Sequence, residues 1–442
     1  MSARGGLAWV AGLEVLGMRL GLERMRHVLG ELGDPQRRPA IHVVGTNGKS
    51  STTRMAAAVL DAEGFRVGAY TSPHVTDWTE RVAIGGAPVG VRDLEDALET
   101  VRQVADGLPA DDPITQFEAL TAAAFVCFAR AGTDVLVVEA GLGGRYDASN
   151  VLDDAVVVLT NVSLEHTDLL GDTVAEIAGE KLAVAPDGDD RLVVGNLDAA
   201  ASGAVSSECA RRNLTGWRIG TEITARQVDS RLQVQTPNGT TEPFPLLARV
   251  GFVRDNATLA VAAAERLLGR AARPRSLSHG LAQASLPGRL ERVERVDGTT
   301  ILLDGAHNPA GMEALSSVVP DVLPDGEPVA VVSVLGDKDV GAMMAALAPA
   351  CGRVIATRST HRRSASAEYV AEHARRAGLE ADSIEDPAAA VRRALAVAGA
   401  GGRVLVCGSL YLLLDVRSGL VAAGAEAPAT LARARGRAAG SP

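Results

Sequence analysis

Short apolar runs alternate with helical stretches along most of this chain. Runs typical of buried strands occupy 41–44, 135–138, 155–159 and 192–194, and helical stretches such as 50–60 and 117–131 lie between them. Alternation of this kind favours a mainly parallel sheet with helices on both faces. The pattern therefore predicts an α/β fold for the first part of the chain.

Two further patterns flank this series. Apolar residues at spacings of three and four predict an amphipathic helix that ends at Gly33-Asp34-Pro35, and they are Met18, Leu22, Met25, Leu29 and Leu32. Short polar-apolar alternation between residues 218 and 245, with Pro237-Asn238-Gly239, predicts a small antiparallel hairpin. A helix is then expected at 256–268.

A connection rich in Pro, Arg and Ser, from Ala272 to Gly288, separates this series from a second one. The second series has strand patterns at 300–303, 329–334, 353–356 and 403–407. We therefore predict a P-loop-type domain at 1–286 and a smaller Rossmann-like α/β domain at 287–422. The Ala/Gly/Arg-rich stretch 423–442 is predicted to be a disordered tail.

The composition of the chain is that of a globular α/β enzyme. The chain has 442 residues, 47% of them apolar and 3% aromatic, which is typical of a globular α/β protein with two or three domains. Its net charge of -10 argues against a nucleic-acid partner, because phosphate backbones are held by concentrated positive charge. Anionic ligands must therefore be met by local groups.

The cysteine and hydropathy patterns predict a cytoplasmic protein. The four cysteines are widely spaced and form no CxxC pair, so reduced thiols are expected. An apolar run from Leu7 to Leu13 is followed by Glu14 and Arg19 and by no clear cleavage site, which argues against a signal peptide. No apolar stretch is long enough to span a membrane.

Lysine is rare in this chain. Only Lys49, Lys181 and Lys338 occur among the 44 basic residues, so arginine supplies most of the positive charge. A lysine kept under such a bias is a candidate for a task that a guanidinium cannot do, such as presenting a compact ammonium to phosphate or an amine for modification.

Lys49 lies in a glycine-bearing loop between a predicted strand and a predicted helix. Gly45-Thr46-Asn47-Gly48-Lys49-Ser50-Ser51 matches the end of a P-loop, although Val43 stands where the full motif has its first glycine. Backbone N–H groups, the helix N-terminus and the lysine ammonium would together hold phosphate. The alternative is a plain tight turn.

Four other candidates can be interpreted from their position and chemistry. Glu139 ends an apolar strand and is either a carboxylate for Mg²⁺ or part of a buried ion pair. His166 by its chemistry is a hydrogen-bonding histidine, because Mg²⁺ prefers oxygen ligands. Lys181 is expected to pair with Glu176 or Glu180. Asp304 either binds a ribose or base or starts a polar turn up to Asn308.

The loop at 41–51 resembles the ATP loop of the Mur ligase superfamily and, within it, that of the bifunctional dihydrofolate synthase/folylpolyglutamate synthase family. Further segments match the family in order between residues 18 and about 417. They are 70–74 with Glu80-Arg81, Phe117-Glu118 with Thr121, 139–150, Thr160-Asn161 with His166, 176–181, Pro287-Gly288-Arg289, 304–309 and Gly408-Ser409-Leu410-Tyr411.

The resemblance implies an ATP-dependent ligase that joins L-glutamate to dihydropteroate or a reduced folate through an acyl phosphate. It implies ATP binding by Gly45, Thr46, Asn47, Gly48, Lys49, Ser50, Ser51, Asn256, Arg289 and Asp304. Catalytic roles are implied for Lys49, Lys181 and His307. The expected partners are ATP, L-glutamate and the folate substrate, and a monomer is expected.

The resemblance also implies two Mg²⁺ ions, with Ser72, Glu139, His166 and Lys181 as the metal-binding residues. Lys181 would be carbamylated, which converts its ammonium into a carboxylate-like group that arginine cannot replace. Substrate binding is implied for Ser72, Pro73, His74, Phe117, Asp147 and Ala148, with glutamate between the domains.

Two alternatives remain. A Mur-type ligase of a non-folate carboxylate would share the ATP machinery, although it would lack the folate-like segments 71–74 and Phe117-Glu118. A P-loop switch without ligase activity would not need Lys181, and the chain has no NKxD signature.

Overall fold

The computed structural model describes residues 5–13, 21–246, 251–284, 286–324 and 326–422. These residues divide into two compact units. The first contains the described residues up to 246 together with 254–284, and the second contains 251–253 and the described residues from 286 onward. Met18 and the predicted tail 423–442 lie outside the described residues.

The first unit contains a mainly parallel sheet of eight strands in the order β4-β3-β2-β5-β1-β6-β7-β8. Only β3 runs opposite to the other strands, because it pairs antiparallel with both β2 and β4. The strands are β1 Ala40–Val44, β2 Val67–Tyr70, β3 Val82–Ile84, β4 Ala87–Pro88, β5 Val135–Glu139, β6 Val156–Leu159, β7 Leu192–Val194 and β8 Gly216–Arg218. The predicted parallel sheet is confirmed.

Helices cover both faces of this sheet, as predicted. They are α1 Gly6–Gly12, α2 Glu23–Glu31, α3 Lys49–Ala62, α4 Val91–Ala105, α5 Gln116–Arg130, α6 Thr167–Leu170, α7 Val174–Leu182, α8 Ala199–Arg212, α9 Gly251–Leu268 and α10 Pro274–Gln283. Ile41 and Val43 of β1 pack with α3, α9 and α10, whereas Ala40 packs with α4 and α5. Alternation of side chains along the strands therefore fills a core on each face.

The segment 218–245 forms the predicted antiparallel structure, with strands β9 Thr224–Val228, β10 Arg231–Thr236 and β11 Gly239–Thr240. The expectation of an irregular connection from Ala272 to Gly288 is wrong for most of its length, because α10 occupies 274–283. Pro274 is tolerated there because it stands in the first turn, and Leu277 and Leu281 are buried against the first core.

The second unit contains a six-stranded sheet in the order β12-β13-β17-β14-β15-β16. Only β12 is antiparallel to its neighbour. The strands are β12 Glu291–Glu294, β13 Thr300–Leu303, β14 Val329–Val332, β15 Arg353–Ala356, β16 Glu380–Ser383 and β17 Arg403–Cys407. The helices are α11 Pro309–Val322, α12 Val340–Leu347, α13 Ala367–Arg376, α14 Pro387–Ala398 and α15 Leu410–Ala422. The Rossmann-like α/β class is confirmed.

Four neighbouring strands of the first sheet, β2, β5, β1 and β6, end at the same edge because they run parallel. The loops that follow them begin at Thr71, Ala140, Gly45 and Thr160. Ligands of open α/β sheets bind at this edge. Among the described helices, none is long and apolar enough to cross a membrane.

Candidate functional site

The loop between β1 and α3 depends on two glycines. Gly45 has φ 144° and Gly48 has φ 82°, a region that favours glycine. A Cβ atom at Gly45 would lie 1.9 Å from Oγ1 of Thr160, and one at Gly48 would lie 2.4 Å from Oδ1 of Asn256. A side chain at Gly45 would therefore displace the segment at Thr160, and one at Gly48 would displace the Asn256 side chain.

The main chain of this loop is held by the segment after β6. Asn161 Oδ1 accepts from Asn47 N at 2.9 Å, and Asn161 Nδ2 donates to Asn47 O at 3.1 Å. Thr160 Oγ1 also donates to Asn47 O, and Ser163 N donates to Thr46 Oγ1. Thr160-Asn161 is one of the segments that match the family, but its role in positioning the loop becomes visible only through the pairing of β1 with β6.

The N-terminus of α3 completes the loop from Gly45 to Ser51, which we call the phosphate-type loop. The first N–H groups of this 14-residue helix, which include those of Ser50 and Ser51, have no acceptor within the helix and add positive potential. Lys49 Nζ donates to Gly45 O and Thr46 O, both at 3.0 Å. The loop is therefore a compact positive site, which suits an anion.

A buried amide donor adjoins the same loop. Asn256 is 4% exposed, and its Nδ2 atom has no hydrogen-bond partner among the described residues. Its Oδ1 atom lies on the Gly48 side. A buried donor without an acceptor is costly, by about 1–3 kcal/mol. An oxygen of a nucleotide bound at this loop would satisfy it, so the residues present fit the predicted ligand.

Glu139 joins the loop to the segment after β2. Its carboxylate is 2% exposed and accepts from Ser50 Oγ at 2.9 Å and from Ser72 N at 3.0 Å. These oxygen-bearing groups are the chemistry that Mg²⁺ prefers. Among the described residues no group of three or more His, Cys, Asp and Glu side chains could hold a metal by itself. A metal bound beside Glu139 would thus need further ligands, such as serine and nucleotide oxygens.

Lys181 is fully buried and lies beside the phosphate-type loop. Its Nζ donates to Gly45 O at 2.9 Å and to Glu165 Oε1 at 2.8 Å. The expected pairing with Glu176 or Glu180 is wrong. Glu176 instead caps α7 through Thr173, and Glu180 pairs with Arg145 at 2.7 Å.

The partner that the sequence analysis missed is Glu165. It lies 16 positions before Lys181 and outside α7, so helical spacing could not reveal it. His166, its neighbour, is the N-cap residue just before α6 and has a left-handed φ of 46°. This conformation is uncommon for a residue with a side chain and fixes the direction of the turn that carries both groups.

Burial lowers the pKa of Lys181 to about 8; the charge of Glu165 opposes this shift and that of Lys49 adds to it. Burial alone would raise the pKa of Glu165, yet Lys181 and Lys49 bring it down to about 2. Glu165 is thus anionic at neutral pH, while the Lys181 ammonium loses its proton more easily than an ordinary lysine.

The loop from Thr71 to Arg81 carries the predicted folate-side residues. His74 Nδ1 accepts from Arg81 Nε at 2.9 Å, and its ring lies 4.5 Å from that of Trp78. Burial, reinforced by the charge of Arg81, lowers the pKa of His74 to about 4. His74 is therefore a neutral ring, while Pro73 beside it is exposed.

Phe117, Asp147 and Ala148 have unequal exposure. The half-buried Phe117 begins the first turn of α5, and its ring lies 6.1 Å from that of Tyr70. The buried Asp147 carboxylate accepts from Leu142 N and Ser149 N, so it shapes its own loop. Ala148 is 5% exposed. The structure shows how these residues are held, and their substrate contacts remain predictions.

In the second unit, the carboxylate of Asp304 accepts from Leu290 N at 3.0 Å and from Ala306 N at 2.9 Å. Burial raises its pKa, and the nearby Arg289 charge opposes the shift. His307 Nδ1 lies 2.8 Å from Gly305 O. These bonds support the polar-turn interpretation of Asp304, and the ATP-side roles of the three residues remain predictions.

Comparisons with known proteins agree along most of the chain. The Mur ligase middle domain matches residues 43–263, and the glutamate ligase domain of Mur ligases matches residues 288–410. The dihydrofolate synthase/folylpolyglutamate synthase of Mycobacterium tuberculosis is 36% identical over 377 residues, which cover 79% of this chain and 76% of that protein.

Solved structures show the same likeness. E. coli FolC in complex with DHPP and ADP is 30% identical with a TM-score of 0.85, covering 95% of this chain and 98% of that one. A bifunctional folylpolyglutamate synthase/dihydrofolate synthase with Mn, AMPPNP and L-glutamate bound is 30% identical with a TM-score of 0.82, over 95% and 98% of the two chains. This chain therefore belongs to the dihydrofolate synthase/folylpolyglutamate synthase family of Mur ligases.

Proposed function

We propose that this protein uses ATP to join L-glutamate to dihydropteroate, to reduced folates or to both. The observation that carries the proposal is the buried Glu139 carboxylate, which bonds Ser50 of the phosphate-type loop and the main chain of Ser72 on the folate-side loop. Glu139 thus joins the phosphate-type loop to the loop 71–81, here called the folate-side loop. These two loops must act together when the carboxylate of the substrate is phosphorylated.

The chemistry consists of two substitutions. A carboxylate oxygen of the folate substrate bonds to the γ-phosphorus of ATP, and the bond from that phosphorus to ADP breaks. The glutamate amine then attacks the acyl carbon, loses a proton and expels phosphate. The protein's task is to position the reactants and offset charge on the phosphoryl group. Lys49 and the N-terminus of α3 are placed for that task.

ATP and a divalent metal are the expected ligands. We propose that Glu139, Ser72 and His166 hold Mg²⁺, which when bound would neutralise phosphate charge. The remaining ATP contacts are proposed for Gly45 to Ser51, whose loop geometry suits phosphate, and for Asn256, whose buried Nδ2 lacks an acceptor. Arg289, Asp304 and His307 are the candidates that the second unit contributes.

Lys181 is proposed to act as a carbamate that binds a second Mg²⁺. The neutral amine would add to CO₂, forming a new N–C bond and releasing a proton. Burial supports this step, because an amine with a pKa of about 8 is neutral far more often near pH 8 than an ordinary lysine. Its position at the Gly45 carbonyl would bring the carbamate oxygens to the phosphate-type loop.

For the folate end we propose contacts with Ser72, Pro73, His74, Phe117, Asp147 and Ala148. The neutral His74 ring, tilted against Trp78, and the half-buried Phe117 ring offer the flat surfaces that a pterin requires. We also keep as proposals the division into an ATP-binding part at 1–286 and a glutamate ligase part at 287–422, and a monomeric, cytoplasmic protein.

A substrate panel tests the proposed function. Purified protein with ATP, Mg²⁺ and L-glutamate is offered dihydropteroate, tetrahydrofolate or a UDP-muramoyl peptide, and ADP release is measured with the Lys49→Ala variant as the inactive control. We expect ADP release with at least one folate-class acceptor. Release with the UDP-muramoyl peptide alone would identify a Mur-type ligase, and release with none would refute the proposal.

A further inference from the structure

Arg54 is a half-buried cation that neither the phosphate chemistry nor the predicted folate contacts account for. It lies on α3 one turn after Ser50, so the two side chains share a face of the helix. Ser50 on that face bonds the carboxylate of Glu139. Arg54 therefore stands next to the acidic group that joins the two loops.

The guanidinium makes one well-defined bond, from Nη2 to the main-chain oxygen of Glu80 at 2.7 Å. Glu80 lies near the end of the folate-side loop, and its own carboxylate accepts from Val75 N at 2.8 Å and Thr76 N at 3.1 Å. The loop also closes on itself, because Thr71 N donates to Arg81 O. Arg54 thus holds the closed end of this loop to α3.

No salt bridge joins Arg54 to a carboxylate of any described residue, and its buried Nε atom has no hydrogen-bond partner among them. Burial lowers the pKa of Arg54, and the charges of Glu139 and Glu80 oppose that shift. A purely structural arginine at this depth would be expected to have a close carboxylate. Its bond to the main chain of Glu80 instead ties the folate-side loop to α3.

We propose that Arg54 is a positioning residue for the folate side of the reaction. It ties the closed end of the loop 71–81 to α3, while Glu139 ties the other end through Ser72 N. The two ties together fix Ser72, Pro73 and His74 at the carboxyl edge of the sheet. The inference rests on the proposed function, because it assumes that this loop binds the folate substrate.

The test distinguishes an effect on the KM for the folate substrate from an effect on the KM for ATP. For wild type, Arg54→Met and Arg54→Lys, ADP release is measured against the folate substrate at saturating ATP and then against ATP at saturating folate. Losing a hydrogen bond from a charged donor predicts a KM for the folate that rises roughly tenfold or more in Arg54→Met. The KM for ATP should stay within about twofold.

Arg54→Lys should recover part of the folate affinity, because an ammonium can still donate to Glu80 O. Arg66→Met, which removes an exposed arginine just beyond the same helix, is the matched control and should leave both KM values unchanged. Binding of ADP, measured by calorimetry, reports on the phosphate-type loop even if a variant turns over slowly.

An unchanged folate KM in Arg54→Met, or equal rises for folate and ATP, would overturn the inference. If Arg54→Met does not fold, the Arg54→Lys variant decides by the same two KM values. Failure of wild type to use any folate substrate would instead refute the proposed function, so the two failures are distinguishable.

Discussion

At the scale of single residues, two lysine ammonium groups meet at one carbonyl oxygen. Lys49 and Lys181 both donate to Gly45 O, at 3.0 and 2.9 Å. Their repulsion is offset on one side by Glu165. An anion bound at the loop would offset the repulsion on the other side, so the two lysines favour phosphate there. They disfavour a metal cation unless Lys181 changes its charge.

The carbamate proposal predicts that Lys181→Arg is nearly inactive, with kcat reduced roughly 100-fold or more. Arginine keeps the positive charge and can still pair with Glu165, but it has no nucleophilic amine to take up CO₂. Steady-state ADP release at added bicarbonate is the measurement. Lys338→Arg is the matched control, because Lys338 only faces Asp337 at 3.8 Å and such a contact tolerates arginine.

Short-chain carboxylic acids should partly restore Lys181→Ala by supplying the missing oxygens. Intact mass or electron density of the active, metal-loaded protein under bicarbonate should show the added CO₂. A bare ammonium in that state, or a largely active Lys181→Arg, would contradict the carbamate.

His42 provides a pH prediction. Its ring is buried on β1 and lies 2.8 Å from Ser149 Oγ, and burial lowers its pKa to about 4. The unfolded chain binds a proton near the ordinary value of about 6.5, so the stability that neutral His42 confers is lost as pH falls from about 6.5 towards about 4. At the lower end the loss amounts to about 3 kcal/mol.

The free energy of unfolding, measured by denaturant titration between about pH 7.5 and about pH 5, should therefore fall in wild type and fall less steeply in His42→Gln. His74, which has a similar pKa, leaves a residual slope. The exposed His27→Gln control should keep the wild-type slope. Equal slopes in His42→Gln and wild type would show that His42 does not titrate as described.

The residue composition indicates which lysines to examine, and both Lys49 and Lys181 lie at the phosphate-type loop. It does not identify their partners. Lys181 contacts Glu165, and Arg54 contacts the main chain of Glu80 in a loop that folds back on α3. Neither contact follows a helical or strand period. Such contacts between distant positions need the tertiary structure.

At the scale of elements, two helices begin with the same capping box in different surroundings. Thr115 and Glu118 cap α5, and Thr173 and Glu176 cap α7. Glu118 is also buried and accepts from Arg24 at 2.8 Å, whereas Glu176 is exposed. The same capping motif is therefore expected to contribute differently to the stability of the protein in each helix.

This contrast predicts different stabilities for Glu118→Gln and Glu176→Gln. Glutamine can keep either capping bond, so the first substitution mainly removes one of the two carboxylate charges that balance the buried Arg24, the other being that of the half-exposed Asp112. The free energy of unfolding should fall by about 1.5–3 kcal/mol in Glu118→Gln, because Arg24 loses its charged hydrogen bonds to Glu118 but keeps its ion pair with Asp112. Glu176→Gln should change it far less, as measured by denaturant unfolding. Equal losses in both variants would mean that the Arg24 pair contributes nothing.

The periodic elements could be predicted to within a few residues. The expected strands at 192–194, 300–303 and 403–407 are the observed β7, β13 and β17. The helix α10 was missed because its Pro, Arg, Ser and Gly residues suggest a connection. Only the burial of Leu277 and Leu281, four positions apart, shows its apolar face.

At the scale of the whole molecule, a net charge of -10 coexists with a concentrated positive loop.

The four cysteines are all free and buried in the structure. Burial raises the pKa of Cys127 and Cys351 to about 12 and raises that of Cys209 and Cys407 as well. These thiols are packing groups.

Activity should therefore survive complete reduction, because no disulfide supports the fold. A thiol reagent such as Ellman's reagent should label none of the cysteines rapidly in the native protein and all four after denaturation. Inactivation by a reductant, or rapid labelling of the native protein, would contradict this account of the thiols.

The central claim is that ATP activates a folate-class carboxylate as an acyl phosphate before glutamate is added. The most direct measurement follows oxygen: dihydropteroate or a folate with an ¹⁸O-labelled carboxylate is turned over with ATP and L-glutamate, and the released phosphate is analysed by mass spectrometry. Because the leaving phosphate takes one carboxylate oxygen with it, the account predicts one ¹⁸O in each phosphate formed with the amide product. Amide formation with unlabelled phosphate would contradict it.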